Sequence, residues 1–114
     1  MKILNRGFIS VIPKPNFIKE FSQHEKSDHI LMPKNPEATI YLIEDDFWDD
    51  EIVLKKYYKR IIEAELRQID SDINTAVNVI NSDNFHSYFE TSMGNLVFDL
   101  ENQSIEHFTD DQSS

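Results

Sequence analysis

The sequence predicts a small α/β domain of the α+β type, two layers deep. It has about three strands, one long amphipathic helix and shorter helices, in the order β-α-β-α-α-β. Three observations predict this. Short apolar runs rich in β-branched residues recur at residues 2–12, 38–43 and 91–100. One long stretch with apolar residues at 3- and 4-residue steps begins at Phe47. The length of 114 residues, with 39% hydrophobic and 28% charged residues, suits one domain with its own core. On this reading residues 1–100 form the domain and residues 101–114 an acidic, flexible tail.

Residues 2–12, "KILNRGFISVI", read as a strand ending at Pro13, with Gly7 at a bulge or a close approach. "PNFIKEF" sets Phe17, Ile18 and Phe21 at helical spacing, with Asn16 as cap. Residues 22–37 contain two prolines and no period, and read as a long loop. "ATIYLI", 38–43, is a nearly continuous apolar run, as in a strand covered on both faces or central in its sheet. If the first two strands share a sheet, the helix between them implies a right-handed parallel crossover.

The long helix is expected from Phe47 to about Ile69. Leu54, Tyr57, Tyr58, Ile61, Ile62 and Leu66 lie on its apolar arc, and Lys55, Lys56, Lys59, Arg60, Glu63 and Arg67 mostly opposite. Glu51 with Lys55 and Glu63 with Arg67 are i,i+4 pairs, each worth a few tenths of a kcal/mol. A further helix restarts at Asp70 or Asp72 through Ile73, Val77 and Ile80, and "DNFHSYFE" adds a helical turn. "TSMGNLVFDL" is the third strand, with Gly94 at a bulge. Ile105 and Phe108 are candidate anchors for the tail.

Charge is distributed unevenly. Residues 1–43 carry six Lys/Arg against four Asp/Glu, and residues 44–69 five against eight. From Gln68 to Ser114 there are nine acids and no Lys or Arg. With a net charge of −10, direct nucleic-acid binding is disfavoured, because phosphate contacts need cations, whereas a basic partner is attracted. Cysteine is absent, which removes disulfides and thiolate chemistry. The first residues hold too short an apolar run for a signal peptide, and no stretch is apolar enough to span a bilayer, so the expected location is the cytoplasm. Without an export signal, the acceptor-like Asn102-Gln103-Ser104 carries no weight.

Most catalytic patterns are missing. With Gly7 and Gly94 as the two glycines, no Gly-rich phosphate loop exists, and no serine sits in a G-x-S-x-G elbow. His24 and His29 flank Glu25, but at i and i+5 they fall about 140° apart on a helix, too far for the zinc-protease pattern. His86, among aromatics, reads as a half-buried packing residue, and His107 lies in the tail. "LKKYYKR", 54–60, mixes cations and tyrosines as RNA-binding surfaces do, yet its tyrosines fall mostly on the apolar arc.

The most distinctive stretch is "IEDDFWDDE", 43–51, where six carboxylates surround Phe47 and the single tryptophan, Trp48. One reading is structural: Asp45 or Asp46 caps the long helix, Asp49, Asp50 and Glu51 favour its positive end, and Phe47 and Trp48 fold back onto the strand. A second is a divalent-cation site built from Asp45, Asp46, Asp49 and Asp50. A third is a docking patch of Asp45, Asp46, Phe47, Trp48, Asp49 and Asp50, in which the aromatic anchors a basic partner and the acids steer it. Exposure of Trp48 decides between the first and the third.

"TIYLIEDD" is similar to the strand and acidic turn of response-regulator receiver domains. That family's later phosphoacceptor strand is not found, nor is its switch lysine, since the last lysine is Lys59. The expected function is that of a non-enzymatic, cofactor-free interaction module for a basic partner, of the character of an inhibitor or bacterial toxin antagonist. A metal-dependent module and a nucleic-acid charge mimic are the alternatives. A sheet face or edge left open has room for a homodimer.

Overall fold

A computed structural model describes residues 1–21, 37–69 and 79–109 of the protein. The expected loop at 22–37 falls outside these residues up to position 36, with His24 and His29. So do residues 70–78 of the helix expected from Asp70 or Asp72 through Ile80 and the last five residues of the tail, while Ile80 itself is buried but not helical. The described chain is a mixed α/β domain. It runs β1 (Lys2–Leu4), β2 (Gly7–Pro13), α1 (Pro15–Phe21), β3 (Thr39–Ile43), α2 (Asp50–Gln68), α3 (Phe85–Tyr88), β4 (Phe89–Gly94) and β5 (Val97–Asp99).

The strands form two sheets, β3-β2-β4 and β1-β5, and every ladder is antiparallel. The first and third expected strands are thus each divided in two. The register explains the division. Between the pairs Leu4–Val97 and Phe8–Gly94 lie three residues on one strand (Asn5, Arg6, Gly7) and two on the other (Asn95, Leu96). One extra residue on the N-terminal strand is a bulge, which interrupts the ladder.

The parallel crossover is not formed: β3 runs antiparallel to β2. The seven residues of α1 span about 10 Å, against about 23 Å for the seven of β2. The helix by itself thus covers less than half the length of the strand. It begins at Pro15, whose fixed φ and missing N–H suit a first helical position. Asn16 is therefore inside the first turn and not its cap. Its side-chain amide donates instead to the Ser87 carbonyl at 2.9 Å, tying α1 to α3.

The core lies between one face of the three-stranded sheet and the helices. Ile9, Val11 and Ile43 project from the sheet, Val53, Leu54, Ile61, Ile62 and Leu66 from α2, and Phe17 and Phe21 from α1. Phe85 and Phe89 extend this core, with Phe89 set 4.6 Å from both the Phe17 and Phe85 ring centroids. Burying a side chain of this size contributes roughly 1.5–3 kcal/mol.

The opposite face carries Leu42 beside Phe8 and Gly94, Ile40 beside Ser10 and Ser92, and Ile12 beside Glu90. Here the structure departs from the expectation for residues 38–43. Ile40 and Leu42 are 57% and 51% exposed, and among the described residues β3 is an edge strand paired with β2 alone. The run is apolar on both faces, but among the described residues no helix or strand lies over one of them. Gly7 is the close approach expected of it: a Cβ there would stand 2.9 Å from the Glu44 and Gly94 carbonyl oxygens and from Phe47 Cε1.

Candidate functional site

The acidic stretch is the connection from β3 to α2, and the structure divides it into two parts. Asp49 caps the helix: its Oδ1 accepts from the N–H groups of Glu51 at 2.8 Å and Ile52 at 3.3 Å. Asp45 and Asp46 do not have this role, because α2 starts at Asp50 and not at Phe47. A side chain must stand at the residue immediately before the helix to reach the free N–H groups of its first turn. Asp50 and Glu51 occupy that first turn, as expected, at the positive end of the helix dipole.

Phe47 and Trp48 part company. Phe47 packs inward against the core, with its ring over Gly7. Trp48 does not fold back onto the strand; it is 95% exposed. The backbone bends at Trp48, and the two neighbouring rings part there. The turn is held in place from elsewhere in the chain. Asn95 Nδ2 donates to the carbonyls of Asp45 at 2.9 Å and Phe47 at 3.3 Å. Lys56 on α2 pairs with Glu44 at 2.8 Å, which raises the lysine pKa through that hydrogen bond.

Asp45, Asp46, Trp48, Asp49 and Asp50 are therefore all exposed around one anchored turn. They share a surface but do not converge: among the described residues no three His, Asp or Glu side chains are grouped to hold a metal ion.

A buried carboxylate stands elsewhere. Glu65 on α2 is 2% exposed and accepts a hydrogen bond from the Tyr41 hydroxyl of β3. Gln68 Nε2 donates to Glu65 Oε2 and to Thr39 Oγ1, each at 3.3 Å. Burial pushes the Glu65 carboxyl above its usual range, while hydrogen bonds from Tyr41, Thr39 and Gln68 pull the other way. Burial, then the hydrogen bond and charge of Glu65, raise Tyr41 in turn. This network fastens the core side of β3 to α2. Its signal was present in the sequence, since Glu65 stands four residues after Ile61 on the apolar arc.

A shallow groove of about 580 Å³ runs beside β4, lined by Ser10, Ile12, Lys14, His86, Phe89, Glu90, Thr91 and Ser92. His86 is exposed there and not half-buried: α3 is a single turn that buries Phe85 and leaves its neighbour outside. The His86 Nδ1 lies 3.4 Å from Thr91 Oγ1, and Lys14 Nζ donates to the His86 carbonyl at 2.5 Å. On α2, Tyr57 is partly buried and flanked by Lys56 and Arg60, whose charges lie 5.4 and 6.0 Å from its ring centre. Ile105 and Phe108 are 52% and 88% exposed and do not anchor the C-terminal segment.

No helix among the described residues is long and apolar enough to cross a membrane. No protein-family model, no curated protein and no solved structure matches the chain.

Proposed function

We propose that the protein is a non-enzymatic interaction module that docks a basic partner on the turn between β3 and α2. Its character is that of an inhibitor or antagonist covering a positively charged surface. The observation that carries this reading is Trp48, 95% exposed on a turn whose neighbours are held by specific contacts. A large indole in water gains by burial against a partner, and tryptophan is enriched among residues that dominate binding energy. Asp45, Asp46 and Asp50 around it supply a negative field that steers a basic surface and fixes its orientation. The net charge of −10 extends that field.

The test is affinity capture from lysate with the wild-type chain, Trp48→Ala and a double Asp45→Asn, Asp46→Asn variant, at low and high salt. Capture of a basic protein that is lost in both variants and at high salt is expected. Equal capture by all three chains, or capture unaffected by salt, would overturn the reading.

A further inference from the structure

We infer that the partner presents an extended strand, apolar at alternate positions and flanked by Lys or Arg at both ends, which adds to the outer edge of β3. This deepens the proposed docking function and rests on it.

Among the described residues nothing pairs with the outer edge of β3. Edge strands normally carry a charge, a proline or a bulge against unwanted pairing. Residues 38–43, Ala-Thr-Ile-Tyr-Leu-Ile, carry none of these, whereas β4 at the other edge bears Glu90. An added strand gains main-chain hydrogen bonds from such an edge and specificity from alternate side chains. Ile40 and Leu42 provide for the second, since both are more than half exposed and two residues apart on one face.

Charge selects the occupant. Glu37 precedes the strand, and Asp45 and Asp46 follow it beside Glu44, all of them exposed. From Glu37 to Glu44 the backbone spans about 23 Å, which a peptide of about nine residues covers. Both ends are acidic, so a basic-flanked strand is matched in either direction. A second copy of this chain is not: antiparallel pairing of two β3 strands would bring Glu37 of one against the Glu44–Asp46 end of the other. Trp48, just beyond that end, offers its face to a flanking Arg.

The probe is a synthetic peptide, Lys-Arg-Thr-Val-Thr-Val-Thr-Arg-Lys, with two control peptides N-methylated at alternate residues in the two possible phases. Trp48 emission and the amide exchange of residues 39–43 are measured on the full chain, with sedimentation to give its oligomeric state. The expected result is a Trp48 response together with an about tenfold slowing of exchange at the β3 amides not bonded to β2. One N-methylated phase, and the Leu42→Lys variant, should each bind about tenfold more weakly.

A Trp48 response with unchanged β3 exchange and equal binding of all peptides would overturn strand addition while leaving the docking turn in place. Silence of both probes at millimolar peptide would overturn both. Outer β3 amides already protected in a free dimer would assign the edge to a second copy and overturn the inference.

Discussion

The two faces of the β3-β2-β4 sheet are built from the same strands and much the same residue types, yet among the described residues only one packs against helices. On the inner face Ile9, Val11 and Ile43 are closed off by α1, α2 and α3. On the outer face Phe8 and Ile12 are half-covered, and Ile40 and Leu42 more than half exposed. Hydrophobicity along a strand therefore reports the wish to be buried, not the layer that does it. In a two-layer domain the second apolar face is available for something outside the fold.

The comparison is most easily broken on the inner side. Phe89→Ala leaves a hole between Phe17 and Phe85 and should cost about 3–5 kcal/mol in denaturant unfolding. If it costs no more than an outer-face change, the two faces are not different in kind. Next is Gly7→Ala, whose new methyl meets two backbone oxygens and the Phe47 ring. A loss of about 1–3 kcal/mol is expected, with a shift of Trp48 emission as the turn is displaced.

Asp49→Ala should remove about 1 kcal/mol of thermal stability by freeing the first N–H groups of α2, while Asp46→Ala should not. A smaller effect at neutral pH is expected from Glu65→Gln, which is read as a slope. The folded wild type holds the Glu65 proton to higher pH than the unfolded chain does. It therefore loses stability as pH rises from about 4.5, the ordinary value, through the raised folded value. The melting temperature of Glu65→Gln relative to wild type should thus climb across that window. Least of all, Leu42→Ser on the outer face should change stability by no more than about 0.5 kcal/mol.

Much of the frame was legible in the sequence because it rests on local periodicity. The α2 positions Leu54, Ile61, Ile62 and Leu66 all lie in the core, and the helical turn around His86 is there as α3. What was not legible depends on partners distant in the chain. Strand direction depends on which edge of β2 a strand pairs with and in what sense, which residue spacing alone does not state. The edge position of β3 depends on what pairs beside it, and an apolar run looks the same at a sheet's centre or its border. The acidic turn stands out in the sequence as a segment, but its division of labour does not. The cap falls to Asp49 because α2 begins later than its apolar spacing suggests. Phe47 packs beside Gly7 while Trp48 faces outward, a split that composition does not show.

The Asn95 side chain links the junction of β4 and β5 to the carbonyls of Asp45 and Phe47, some fifty positions earlier. A surface loop that borrows its shape from a remote residue cannot be lifted out as a short peptide and keep its form. The docking surface proposed at that indole should accordingly be lost from any fragment that ends before Asn95.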